Sequence, residues 1–165
     1  MKFDDENEVL AVVQASKGRR FLGVLSLALL GVALIYVALA RSPDWHWQIF
    51  LVLVGAGAIW MAHAMWQGTA SAVELTPLVL RDRDGTVIAR VEDITGMDRG
   101  FFAFKPSNGF LLKTTASATA GRNWRPGLWW RMGRRIGIGG MTPGNQTKFM
   151  SEILAAMMAT RDMVD

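Results

Sequence analysis

The chain contains no cysteine and only two histidines, His46 and His63. Disulfides, thiolate metal sites and cysteine nucleophiles are thereby excluded, and a histidine-rich metal centre has too few ligands. Nucleophilic catalysis needs a base oriented toward a hydroxyl or thiol. Past Gln67 there is no histidine, cysteine or tyrosine, so the expectation is a protein that is not an enzyme and uses no metal or cofactor. Charge is also scarce, at 19% of 165 residues against 51% hydrophobic, where soluble chains carry about 25% charged residues. That shortage is local, because neither Phe21–Ala40 nor Gln48–Gln67 holds an acidic or basic residue.

Phe21–Ala40 is an uncharged run of the roughly 20 residues a helix needs to cross about 30 Å of hydrocarbon. It is apolar on every side, which suits lipid better than a soluble core. The second run, 48–66, is flanked by Trp45, His46 and Trp47 before it and by Trp66 and Gln67 at its exit, and tryptophan favours both membrane interfaces. The intervening Arg41-Ser-Pro-Asp-Trp-His-Trp47 is short enough to make the helices antiparallel neighbours. Pro43 stops the first from continuing. Residues 21–67 therefore read as a two-helix transmembrane hairpin.

Lys17, Arg19 and Arg20 precede the first helix, whereas the loop carries Arg41 offset by Asp44. The expectation is a two-pass inner-membrane protein, with both termini placed in the cytoplasm by the positive-inside rule. A cleaved signal peptide ending at Ala38-Leu-Ala40 is the competing reading. The apolar run exceeds the usual 7–15-residue signal core, and Asp4, Asp5, Glu6 and Glu8 are foreign to a basic leader. Small residues at Gly23, Gly31, Gly55, Ala58 and Ala62 permit close helix packing, within the hairpin or against a larger membrane complex. The leader, 1–20, is expected to be partly helical: Val9, Leu10 and Val13 share a helical face, with Asp5 and Glu8 at capping spacing. His63 reads as an interfacial residue beside Trp66.

From Gly68 the pattern changes to short β-like runs. Ser71–Leu75, Pro77–Leu80 and Val87–Val91 are candidate strands, the last two joined by the turn signal Asp84-Gly85. Gly100–Lys105 and Phe110–Thr115 flank Pro106-Ser-Asn-Gly109, whose Asn-Gly favours positive φ. After a small, polar stretch from Ala116 to Pro126, Leu128–Arg131 and Arg135–Ile138 add two strands. Phe149, Met150, Ile153, Leu154 and Met157 give 145–161 the spacing of an amphipathic helix, with Asn145 as its cap.

About six or seven antiparallel strands closed by a C-terminal helix is the element order of a pleckstrin-homology-like barrel. Thr76-Pro-Leu-Val-Leu-Arg-Asp-Arg-Asp-Gly85, Ile88, Ile94 and the terminal helix resemble bacterial pleckstrin-homology domains that trail a two-helix membrane hairpin. Phe104–Leu112 and Trp129–Ile138 resemble stretches of small alphaproteobacterial membrane proteins. The expected fold is thus a membrane α-hairpin plus a mainly β cytoplasmic domain, 68–165. In such families the domain serves as a scaffold or interaction module, and the resemblance assigns no binding residue here.

Arg122-Asn-Trp-Arg-Pro-Gly-Leu-Trp-Trp-Arg-Met-Gly-Arg-Arg135 has five arginines, three tryptophans and no acid. Arginine forks bind phosphate and tryptophan seats at headgroup level, so Arg122, Arg125, Trp129, Arg131, Arg134 and Arg135 are candidates for contact with anionic lipid or an acidic partner. The alternative is a barrel wall with tryptophans inside and arginines solvated. Nucleic acid is disfavoured, because no nucleic-acid-binding motif accompanies the charge. Gly137-Ile-Gly-Gly140 lacks the Lys-Ser/Thr and βαβ context of a phosphate loop and reads as a bend. Asp82, Asp84, Glu92, Asp93 and Asp98 read as turn and surface charges. The functional expectation is a membrane-anchored accessory or scaffold protein that contacts a partner complex or anionic headgroups. The alternative is a small-molecule sensor or transport accessory with a ligand in the β domain.

Overall fold

The computed structural model describes residues 8–41, 43–100, 106–115 and 123–163. Its order is β1 (Ala11–Gln14), α1 (Lys17–Ala40), α2 (Trp45–Gly68), β2 (Ala72–Leu75), β3 (Val79–Asp82) and β4 (Val87–Arg90). A 3₁₀ turn (Val91–Asp93) leads to β5 (Ile94–Asp98), β6 (Phe110–Thr114), β7 (Asn123–Arg125), β8 (Trp129–Met132), β9 (Arg135–Ile138) and α3 (Gly144–Asp162). Most of the expected strand Gly100–Lys105, the polar stretch 116–122 and the proposed cap Asp5 lie outside the described residues.

Both long helices have 24 residues, or about 36 Å at 1.5 Å per residue, and are long and apolar enough to cross a membrane. They pack antiparallel through small residues. Gly31, Ala38, Gly55 and Ala62 are buried. A Cβ on Gly31 would lie 2.7 Å from the Gly55 carbonyl oxygen, and one on Gly55 2.9 Å from that of Gly31. The backbones therefore meet where no side chain fits. Gln48 Nε2 donates to Ala38 O at 3.1 Å near the connecting loop. Ala58 is half-buried, but Gly23 has a different role: a Cβ there would collide with Met141, from the loop after β9.

The hairpin does not simply precede the β domain. Residues 11–14, part of a leader expected to be partly helical, form a strand that pairs antiparallel with β2 from Ala11↔Leu75 to Gln14↔Ala72. The two helices are therefore inserted between the first two strands of one sheet. Ala11 and Val13 are buried while Gln14 is exposed, the period-2 pattern of a strand. Tertiary pairing thus overrides the local helical spacing.

Strands β1-β2-β3-β4 form one antiparallel sheet and β5-β6-β9-β8-β7 a second. Strands β1, β5 and β7 raise the number above the expected six or seven. Val13, Leu75, Leu80 and Ile88 from the first sheet meet Phe110, Leu112, Ile136 and Ile138 from the second, and Met150 and Leu154 of α3 complete the core. No ladder joins the two sheets among the described residues, so the described elements are two sheets and a helix without barrel closure. The turns carry the expected chemistry: Gly85 has φ +91°, Asn108 +51° and Gly133 +59°.

Helix α3 starts one residue earlier than predicted. Pro143 occupies the cap position without a side-chain hydrogen bond, so Asn145 lies inside the first turn and is not the cap. The helix is fastened at both ends. Thr147 Oγ1 donates to Asn108 O at 2.6 Å, and the Arg161 guanidinium donates to Glu92 O and Ile94 O at 2.9 Å each. Phe149, placed on the buried face by its spacing, is 55% exposed.

Candidate functional site

The basic, aromatic stretch divides into parts with different work. Arg122 lies outside the described residues. Trp129 is 2% exposed, which corrects its expected place on a binding surface. Alternation along β8 turns its indole into the core, where Nε1 donates to Asp82 Oδ2 at 2.8 Å. Asp82 is itself fully buried and also receives the Ser71 hydroxyl and Arg125 Nε at 3.3 Å. A buried carboxylate requires such donors, because desolvation otherwise disfavours its charge by several kcal/mol. Three donors from three chain segments thus converge on one carboxylate between the sheets.

Arg125 also pairs with Asp84. The Thr86 backbone N–H and hydroxyl, with the Arg125 charge adding a smaller effect, hold Asp84 below its ordinary pKa against the opposing effect of burial. Arg131 donates to Ile88 O on β4 and to Gly133 O at 3.4 Å. Burial lowers its pKa, and the charge of Asp93 opposes that shift. These side chains bridge the two sheets, which no backbone ladder joins among the described residues. Arg125 and Arg131 thus have structural partners in addition to their charge.

Arg134 and Arg135 remain exposed on the β8–β9 turn. Lys113 is the register partner of Arg135 and is also exposed, giving three cations at one tip. This tip ends a ladder of four residue pairs, about 13 Å long at 3.3 Å per residue. At the opposite end of that ladder the β domain touches the long helices. A Cβ on Gly68 would lie 2.9 Å from Pro126 Cδ, and one on Gly127, at φ +80°, 2.9 Å from Thr69 Cγ2. Ser16 N donates to Met141 O at 2.9 Å, and Arg19 Nη1 to Thr142 O at 3.0 Å.

A second cationic group lies at this junction, unsignalled by the Arg122–Arg135 stretch. Arg20 Nη2 donates to Trp66 O at 2.8 Å, with the guanidinium carbon 4.0 Å from the centroid of the Trp66 ring. Such stacking contributes about 0.5–1 kcal/mol at exposed sites. The sequence signal was present in part: the basic residues before α1 and the tryptophan ending α2 must meet if the helices are antiparallel. The carbonyl that receives Arg19 comes from residue 142 and has no local signal.

The remaining candidates have structural explanations. Gly139 and Gly140 have φ +134° and +126° and cross closely over Gly109 and Gly127, so the glycine run serves a tight backbone crossing. His63 Nε2 lies 2.9 Å from Gln67 Nε2. Among the described residues no group of three His, Cys, Asp or Glu side chains could hold a metal. A cleft of about 1100 Å³ lies between α3 and the β2–β4 region, lined by Leu78, Val87, Val91, Phe149, Ile153 and Met157 among others. It is chiefly apolar and has the Arg90–Glu92 ion pair, 3.2 Å, in its lining. No protein family, curated protein or solved structure matches the chain.

Proposed function

We propose that this is a two-pass protein of a bacterial inner membrane, with both termini cytoplasmic, that acts as a non-enzymatic accessory or scaffold subunit. The observation that carries the reading is the insertion of two apolar helices between paired strands β1 and β2. A domain held at both ends of its anchor, and packed on it through Pro126, Gly127 and Met141, is suited to presenting a surface at a fixed attitude. The pleckstrin-homology-like reading has support from a four-stranded sheet, a second antiparallel sheet and a C-terminal helix. Lys113, Arg134 and Arg135 would be the face offered to an acidic surface of a partner complex.

The test is a mild-detergent pull-down of the tagged full-length protein from its native membrane, alongside the double variant Arg134→Glu, Arg135→Glu. The expected result is a stoichiometric membrane complex that the variant loses. Recovery of the wild-type protein alone would refute the accessory-subunit reading; a complex unchanged in the variant would instead refute the tip as its contact.

The apolar cleft supports a second reading, a sensor or transport accessory that binds a small apolar ligand, since ligand pockets are concave and mostly apolar. Lipids and small apolar molecules retained by the purified protein, and lost in Met157→Arg, would favour it.

A further inference from the structure

The junction between the long helices and the β domain gathers cations in a way that its protein partners do not account for. Lys17 and Arg19 are exposed and Arg20 is half-buried. Among the described residues none of the three forms an ion pair with a carboxylate. Arg19 and Arg20 are nevertheless fixed, one by the Thr142 carbonyl and the other by the Trp66 carbonyl and ring. Arg20 Nε is buried with no hydrogen-bond partner, a state that costs free energy, more so for a charged group. Three positive charges thus lie within the first four residues of α1, two of them in fixed geometry, without a counter-charge among the described residues.

The position of this group selects the chemistry of the anion it would attract. Arg20 immediately precedes the uncharged run beginning at Phe21, and Trp66 lies at the end of the antiparallel helix. If the helices cross a bilayer, the group stands at headgroup level, where tryptophan is favoured and anionic lipids attract basic residues. Strand β7, which packs against α2, carries Trp124, 50% exposed. A guanidinium already oriented by a carbonyl and a ring loses less freedom on binding phosphate than a mobile one.

We infer that Lys17, Arg19 and Arg20, with Trp66, form a binding site for the phosphate of an anionic phospholipid headgroup. The site braces the joint between the helices and the β domain. It rests on the membrane reading above and moves lipid contact away from the Arg134–Arg135 tip. Because Arg19 also holds Thr142, a headgroup bound there would touch the two parts of the molecule together.

The test uses the full-length protein in nanodiscs of zwitterionic phosphatidylcholine containing a titrated fraction of phosphatidylglycerol, with bound lipid counted by native mass spectrometry after ejection from the disc. At about 1 kcal/mol per basic residue near an anionic surface, Arg20→Gln should weaken phosphatidylglycerol retention roughly fivefold and the Arg19→Gln, Arg20→Gln pair about twenty-five-fold. Lys17→Gln, at an exposed position, should cost a similar fivefold and controls for misfolding of the arginine variants. Arg134→Gln, Arg135→Gln should retain wild-type binding. Retention equal for the two lipids, or unaltered in the Lys17 and paired-arginine variants, would overturn the inference. Failure of the wild-type protein to resist carbonate extraction from native membranes would overturn the membrane reading beneath it.

Discussion

Two of the joints in this molecule use opposite chemistry. Where α1 crosses α2, Gly31 and Gly55 let one backbone lie against the other, and the contact is one of shape. Where the first sheet meets the second, the fully buried Asp82 draws together Ser71, Arg125 and Trp129. The helices have already satisfied their internal backbone hydrogen bonds and need only close approach. No ladder joins the two sheets among the described residues, and polar side chains of one sheet serve the other. The first joint depends on the absence of side-chain volume at its two glycines; the second depends on a complete set of donors.

That contrast can be broken at the polar joint first. Asp82→Ala should lower the unfolding free energy of the detergent-solubilised chain by about 3 kcal/mol or more, the scale for removing one partner of a buried pair, read from a denaturant titration. Asp82→Asn, which keeps an acceptor for the Trp129 indole, should cost clearly less. Equal losses would mean that charge, rather than hydrogen-bond geometry, holds the sheets.

At the shape-based joint Gly55→Leu should cost about 1–3 kcal/mol by overpacking, since even a Cβ there meets Ile35 Cγ1 at 2.8 Å. Gly57→Leu, with open space around its Cβ position, is the matched control and should leave the unfolding midpoint unchanged. Similar effects at both positions would remove the close crossing from the account of stability.

The smallest effect is expected from Asp84, at the exposed margin of the polar joint. Its folded pKa is depressed, so its contribution is complete above the unfolded value near 3.8 and is lost as pH falls through the lower folded value. Solvent screening keeps that contribution below about 1 kcal/mol. The stability curves of wild type and Asp84→Asn should therefore converge as pH falls below 4. A difference that widens there would reverse the assigned sign.

The ease with which the two joints can be read from sequence follows the same division. Uncharged runs and small residues are local signals, so the helices and the Gly31 and Gly55 positions were legible, as were the Asp84-Gly85 and Asn108-Gly109 turns. Asp82 was read as a surface charge because Asp82-Arg-Asp-Gly85 has the composition of a turn. Its register with Leu80 on the buried face of β3, and Trp129 far along the chain, decide otherwise. Strand β1 escaped notice because four residues are too few to display a period and its partner lies beyond two helices. Strand β5 contains Gly96 and a register irregularity between Ile94 and Gly96, which blur alternation. The basic stretch was visible as composition, yet composition could not separate Arg125 and Arg131, which bridge the sheets, from Arg134 and Arg135, which face solvent.

Because Gln14 pairs with Ala72, a ribosome releases the first strand well before its partner exists. At about 5–20 residues per second, β1 waits roughly 3–12 s while residues 15–71 are synthesised. If the helices enter a bilayer, the sheet can then close only when both strands are on one side of it. Under the two-pass reading, sheet pairing and topology are therefore coupled: a chain that has crossed a bilayer only once cannot complete the ladder.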